Sequence, residues 1–134
     1  MSAMLNLAAR IRHGLLNPAH TADMMLAGVA IAAGVWLLVP GWAVMRYRHI
    51  AAQMTIVCPI WYWGLIFTSK GTAALIGVVA HRPSIVVASH LVGVGVWLFL
   101  GGIMSFRNAP PMEGFFCAVI GFFCLIRLAQ IPSD

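Results

Sequence analysis

Long apolar segments alternate along the chain with short polar breaks that are rich in proline and arginine. The first apolar segment covers residues 21–39 and contains one charge, Asp23, near its start. Asn17-Pro18 precedes it and suits an N-cap followed by the first helical position, and Pro40-Gly41 ends it. About 19 residues at 1.5 Å each suffice to cross the hydrocarbon core of a bilayer. The pattern therefore predicts a membrane-spanning helix.

Two further apolar segments follow the same rule in the second half of the chain. Residues 85–106 come after the break His81-Arg82-Pro83-Ser84, and residues 112–131 come after Asn108-Ala109-Pro110-Pro111. Both segments are long enough to span a bilayer. Arg127 falls near the end of the last segment, where a long side chain can extend to the lipid headgroups.

The position of the second span is less clear, because two overlapping segments qualify. Residues 50–68 carry no charge, whereas residues 59–80 place Trp61-Tyr62-Trp63 at the membrane interface, where Trp and Tyr are enriched. The second choice leaves residues 46–58 as a surface segment and puts Lys70 near the membrane centre, at a cost of about 2.5 to 3.5 kcal/mol. We favour residues 59–80.

The composition requires a membrane. Of the 134 residues, 62% are hydrophobic and 8% are charged, whereas a soluble domain carries roughly 25% charged residues. The same numbers exclude strong disorder. The fold class expected is all-α, an integral membrane bundle of four helices with the lipid bilayer as its surroundings. The net charge of +5 comes from basic residues placed between apolar segments, so we expect no nucleic-acid partner.

The chain divides at about residue 17. Residues 1–16 carry Arg10, Arg12 and His13 in their middle, which does not fit a cleavable signal peptide. This segment is either an amphipathic helix on the membrane surface or a cytoplasmic tail. Residues 17–134 form the four-span domain, with both termini on one side. Four basic residues fall on that side and three on the other, which weakly favours cytoplasmic termini: Arg10, Arg12, Arg82 and Arg127, against Arg46, Arg48 and Arg107.

A short internal repeat suggests two tandem helical hairpins. Residues 34–38 (GVWLL) match residues 95–99 (GVWLF), and an arginine follows each glycine at the same distance, Arg46 and Arg107. Spans one and three would then be equivalent, each beginning a hairpin, as in membrane proteins with parallel repeats. The alternative is chance similarity between two apolar segments.

Few residues suggest chemistry. The sequence has no common catalytic, phosphate-binding or metal-binding motif, and its three cysteines form no CxxC pair. We therefore expect no enzyme activity, no catalytic residue, no cofactor and no metal site. His90 lies inside a predicted span, where hydrogen bonding or contact with water is favoured over haem ligation. Lys70 is the second candidate intramembrane polar site, since an ionisable residue in a span is a functional hypothesis by default; the alternatives are snorkelling or a shifted span.

Small residues recur at helical spacing on the last two spans. Such positions allow helices in lipid to approach closely, either within one chain, which is the simpler interpretation, or between copies. The predicted helix-packing positions are Ala88, Gly95 and Gly102 on the third span, and Gly114, Cys117, Gly121 and Cys124 on the fourth.

Several short motifs resemble those of small four-helix membrane proteins encoded by tailed bacteriophages and prophages. The likeness covers most of the chain from Asn17 onward, although Lys70 stands where that group usually has an apolar residue. It supports the choice of residues 59–80 for the second span. The matching motifs are Asn17-Pro18-Ala19-His20, Trp36-Leu37-Leu38-Val39-Pro40, Pro59-Ile60-Trp61-Tyr62-Trp63-Gly64, Phe106-Arg107-Asn108-Ala109-Pro110 and Leu125-Ile126-Arg127-Leu128.

The resemblance implies three functional hypotheses. The preferred one is a holin-like protein, which forms homo-oligomers in the bacterial inner membrane and then permeabilises it. The second is a virion-associated or structural membrane protein. The third is a superinfection-exclusion protein that binds a host or phage partner. The group supplies no catalytic residue that could be transferred to this chain.

Overall fold

The computed structural model describes Asn6, residues 18–39, Gly41, residues 48–106 and residues 111–131. Within these ranges the chain forms helices and turns, without a β-strand. In chain order the helices are α1 (Pro18–Leu38), α2 (Arg48–Thr55), α3 (Ile60–Val79), α4 (Pro83–Phe106) and α5 (Pro111–Gln130). The predicted amphipathic segment 1–16 lies outside the described residues except for Asn6, and Arg46 and Arg107 lie outside them as well.

The break between α2 and α3 decides how residues 46–80 are divided. The short helix α2 ends at Thr55, and a turn over residues 56–59 separates it from α3. Pro59 cannot donate a backbone hydrogen bond and disfavours helix in the residue before it, so one helix over residues 50–68 does not form. Helix α3 instead coincides with residues 59–80. Trp61 and Tyr62 stack near its start with ring centroids 4.0 Å apart.

The long helices associate in two pairs, α1 with α3 and α4 with α5, and the pairs meet where α3 packs on α4. Small residues allow the first pair to approach closely: Ala27 and Ala30 are fully buried. A Cβ atom built on Gly71 would lie 2.7 Å from the carbonyl oxygen of Ala27. The long helices thus form two pairs, and the short helix α2 lies between the two members of the first pair in the sequence. The two tandem hairpins stay a prediction.

The sequence repeat does not extend to equivalent packing. Gly34 is buried against α3. A Cβ atom built on Gly64 of α3 would lie 3.0 Å from the carbonyl oxygen of Gly34. The matching Gly95 faces outward, with no atom within 4 Å of a Cβ built on it. On α4 the close approach to α5 is made by Gly101 instead, where an added Cβ atom would lie 3.1 Å from the carbonyl oxygen of Gly114.

An aromatic core fills the half of the bundle that contains the starts of α3 and α5. Phe67 and Trp97 pack with ring centroids 4.5 Å apart, next to buried Leu100. The indole Nε1 of Trp63 donates a hydrogen bond to the carbonyl oxygen of Met54 at 3.0 Å, which holds α2 against this core.

The outer surface is apolar. Phe115, Phe116, Phe122 and Phe123 on α5 are each more than half exposed. Three helical segments are long and apolar enough to cross a membrane, 20–38, 60–79 and 83–105, and the described part of α5 over residues 114–130 is apolar but shorter. Such an exterior would be costly in water and suits hydrocarbon surroundings.

Candidate functional site

The four long helices bring polar side chains together at one end of the bundle, called here the pocket end. The start of α1, the turn between α3 and α4, and the last turn of α5 enclose a cavity of about 260 Å³ there. Its polar lining residues are His20, Asp23, His81, Arg82, Arg127 and Gln130. The rings of His20 and His81 meet edge to face, with centroids 6.3 Å apart.

Asp23 is the centre of a buried ionic cluster that joins three helices. Arg127 of α5 donates two hydrogen bonds to its carboxylate, from Nε to Oδ1 at 2.8 Å and from Nη2 to Oδ2 at 2.9 Å. The Nε2 atom of His90 on α4 lies 2.9 Å from Oδ1. A further hydrogen bond restrains the Arg127 guanidinium, because its Nη1 donates to the side-chain oxygen of Gln130 at 2.7 Å. A bidentate pair of this kind fixes both distance and orientation.

Burial makes this pairing necessary. Asp23 is 3% exposed and His90 is fully buried, so an isolated carboxylate there would lose its hydration without compensation. Asp23 lies about 7.5 Å along α1 from Pro18, and Arg127 lies about 4.5 Å along α5 from Gln130. The two charges therefore sit at similar depth from the same end. The position of Arg127 in the last turn of α5 also suits the helix dipole.

Two of these three residues were missed from the sequence. The sequence placed Asp23 near the start of the first span and predicted that the Arg127 side chain extends to the lipid headgroups, whereas the structure turns Arg127 inward to Asp23. The sequence did contain information that could have predicted the pair. If four spans alternate in direction, the start of the first span and the end of the fourth lie on the same side of the membrane. Opposite charges within two helical turns of that side could then be expected to pair. His90, selected from the sequence, is the third member and is hydrogen-bonded.

Lys70 lies in the interior at the middle of α3 and is 5% exposed. Its Nζ atom has no hydrogen-bond partner among the described residues. A Cβ atom built on Gly93 would lie 3.0 Å from this Nζ and 3.1 Å from Sγ of Cys124, so the absence of a side chain at Gly93 makes room for the ammonium group. The carbonyl oxygen of Lys70 accepts a hydrogen bond from the hydroxyl of Ser89 at 2.9 Å.

The predicted packing positions fall into two groups. Those of α5 face α4: a Cβ on Gly121 would lie 2.9 Å from Leu98, Sγ of Cys117 lies 3.9 Å from Sδ of Met104, and Cys124 is fully buried. Gly114 is buried as well.

The positions on α4 behave differently. Gly95 and Gly102 have nothing within 4 Å of an added Cβ, and Ala88 is exposed. The face of α4 that contains Ala88, Gly95 and Gly102, called here the outer face of α4, therefore makes no close contact within the described part of the chain.

The chemistry available at the pocket end is electrostatic. The Asp23 carboxylate is neutralised by Arg127, and in the described ranges no group of three or more His, Cys, Asp or Glu side chains is placed to hold a metal ion. No family model matches the sequence, and neither a curated protein nor a solved structure matches it. The likeness to phage membrane proteins stays a prediction.

Proposed function

We propose that the chain is an integral protein of a bacterial inner membrane with four spans, cytoplasmic termini and a holin-like activity as a homo-oligomer. It has no enzymatic role in this proposal. The observation that supports it is the outer face of α4, which presents small residues outward along the length of an apolar helix. In lipid, small residues at a contact allow two helix backbones to approach closely.

Two shallow grooves extend this face at both ends, which gives it the shape of a helix-docking surface. One groove, of about 550 Å³, lies between α3 and α4 and includes Ala88. The other, of about 640 Å³, lies beside α2 and includes Gly102. Gly95 lies between them on α4. A helix from a second copy would fill both grooves along one line and bury apolar groove walls.

The polar content of the first groove supports a permeabilising role. Its lining combines apolar side chains with Ser69, Lys70, Ser84 and Ser89. Intramembrane polar side chains usually face a bundle interior or a water-filled cavity. Copies assembled through the outer face of α4 would bring these side chains together around a shared space, which water and ions could enter.

The test is induced expression in a bacterium with two readouts, crosslinked oligomers and membrane potential. The decisive variant is Gly95→Leu, which blocks close approach at the outer face of α4. Gly28→Leu is the matched control: it makes the same change on α1, also without an atom within 4 Å of the new Cβ. We expect wild type and Gly28→Leu to oligomerise and then depolarise the cell, and Gly95→Leu to lose both effects.

Two results would contradict parts of this proposed function. If wild type accumulates as a monomer during stable growth, the permeabilising role is wrong, and the virion or exclusion roles take precedence. If both glycine variants act like wild type, the outer face of α4 is not the contact. Reporter fusions after Ala19, Arg48, Arg82 and Ala109 test the four spans, since they should alternate in sidedness.

A further inference from the structure

We propose that the pocket end gives water and protons access to Lys70 at the middle of the bundle, through the Asp23–His90 pair. This inference goes beyond the proposed function, because it concerns one copy of the chain and requires neither oligomers nor a membrane lesion.

The first part of the path is the cavity at the pocket end, which reaches Asp23 and Arg127. From there the carboxylate Oδ1 of Asp23 contacts Nε2 of His90 at 2.9 Å. His90 lies about 10.5 Å along α4 from Pro83, and Lys70 lies about 13.5 Å along α3 from Val79. The three polar groups therefore descend stepwise from the cavity into the bundle.

The second part of the path joins His90 to Lys70. The Nδ1 atom of His90 and the Nζ atom of Lys70 are both buried, and neither has a hydrogen-bond partner among the described residues. Nζ lies against Gly93, which is one turn beyond His90 on the same face of α4. With Nε2 donating to Asp23, Nδ1 is an acceptor, and the ammonium group is a donor. A water molecule between them would satisfy both, as buried waters commonly do.

Beyond this point Lys70 borders the groove between α3 and α4, which it lines together with apolar side chains, and the aromatic core. Among the described residues, the charged and titratable side chains of the cluster and its immediate surroundings are Asp23 from α1, His90 from α4, and Cys124 and Arg127 from α5. His20 of α1 lies in the cavity lining, and Cys117 of α5 lies beside Met104. On the other side lies the aromatic core, in which Phe67 and Leu100 are at most 2% exposed. Lys70 thus ends a polar column that opens at the pocket end.

The proton transfer balances in both directions without any change of electrons. For release, the Lys70 ammonium gives a proton through the bridging water to Nδ1 of His90, the imidazolium passes its Nε2 proton to the Asp23 carboxylate, and the carboxyl group gives it to water in the cavity. Lys70 is left as an amine, the ring as its Nδ1–H tautomer and Asp23 again as a carboxylate. For uptake, cavity water protonates Asp23, Asp23 passes the proton to Nε2, and the Nδ1 proton passes to the amine, which restores the starting tautomer.

Lys70 is the only lysine in the sequence, which makes the test direct. The full chain, labelled with ¹⁵N-lysine and placed in lipid bilayers, gives a single side-chain amino signal by solid-state NMR. The measured quantity is the rate at which its protons exchange with water. His90→Gln is the decisive variant, because the glutamine amide can still donate to Asp23 but cannot relay a proton. We expect at least a tenfold slower exchange.

Two further variants distinguish access to Lys70 through the cavity at the pocket end from access through the groove between α3 and α4. Ile131→Trp covers the cavity mouth without altering the cluster, and should also slow exchange, even if His90→Gln fails to fold. Ala73→Leu narrows the groove between α3 and α4, and should leave the rate within twofold of wild type. The proposal is overturned if the Lys70 protons do not exchange, if Ile131→Trp and a folded His90→Gln leave the rate unchanged, or if Ala73→Leu is the variant that slows it.

Discussion

Removing the Asp23 carboxylate should destabilise the bundle more than almost any other single change at the pocket end. Asp23→Leu deletes the acceptor of three contacts, two from Arg127 and one from His90. Interhelical hydrogen bonds in membranes average about 0.6 kcal/mol each, whereas breaking a buried ion pair in a soluble protein costs about 3 to 5 kcal/mol. Three weak bonds alone would give about 2 kcal/mol.

We expect a loss of about 3 kcal/mol in the free energy of unfolding. The value lies between these limits because the Arg127 side chain is 12% exposed and can regain some water. The double variant Asp23→Leu with Arg127→Leu should recover most of the loss, to within about 1 kcal/mol of wild type, because apolar replacement of a buried ion pair is often neutral. Asp23→Asn, which keeps an acceptor, should fall between wild type and Asp23→Leu.

The assay is unfolding of the purified chain in mixed micelles with increasing SDS, followed by loss of helicity. Wild type, Asp23→Leu, Arg127→Leu and the double variant form a cycle that measures the coupling free energy between positions 23 and 127. A free energy of unfolding for Asp23→Leu within about 1 kcal/mol of the wild-type value would contradict a stabilising ion pair. So would a double variant whose loss of free energy of unfolding equals the sum of the losses of the two single variants.

Three further outcomes follow from the same structure. Gly121→Leu should lower the free energy of unfolding by about 1 to 3 kcal/mol in the same assay, because the new side chain meets Leu98 within the chain; an unchanged value would contradict the packing of α4 on α5. His81→Gly should raise that free energy by about 1 kcal/mol, since His81 has a left-handed φ of 52° where α3 ends, and a loss of stability would contradict this. Burial raises the pKa of the Cys58 thiol, so a maleimide should label it more slowly than an exposed cysteine at pH 7, with a rate that still rises above pH 9; a rate that is flat there would show the opposite shift.

The helix boundaries were largely predictable, because proline and glycine mark them in the sequence. Pro18, Pro59, Pro83 and Pro111 each stand at or next to a helix start, where a missing amide hydrogen is harmless. The direction in which each helix turns its small residues was not predictable. Hydropathy on α4 and α5 is high on all sides, so only the packing shows that Gly121 faces inward and Gly95 outward.

The ionic cluster of Asp23, His90 and Arg127 was not predicted from the sequence for a different reason. Asp23 and Arg127 are separated by 104 positions, and Asp23 and His90 by 67. No local pattern reports a contact over that distance. It requires the depth of each side chain to be compared across spans, together with the neighbour relations of the helices. Lys70 could be found as an exception in an apolar segment, but the space that Gly93 leaves for it could not.

The wide separation of the cluster along the chain has a consequence for biogenesis. Synthesis at about 5 to 20 residues per second means that Asp23 is made roughly 5 to 20 s before Arg127. In a bilayer, α1 would carry its carboxylate during this interval without Arg127, at a depth where a lone charge is costly. The first helix would remain shallow, with Asp23 near the headgroups, until the last helix arrives.

In a bilayer, the first helix would therefore reach its final depth only after α5 has been made. A product that lacked α5 would retain the contact of Asp23 with His90 but not the two hydrogen bonds from Arg127. The Asp23–Arg127 pair thus joins α1, which is made early in synthesis, to α5, which is made late.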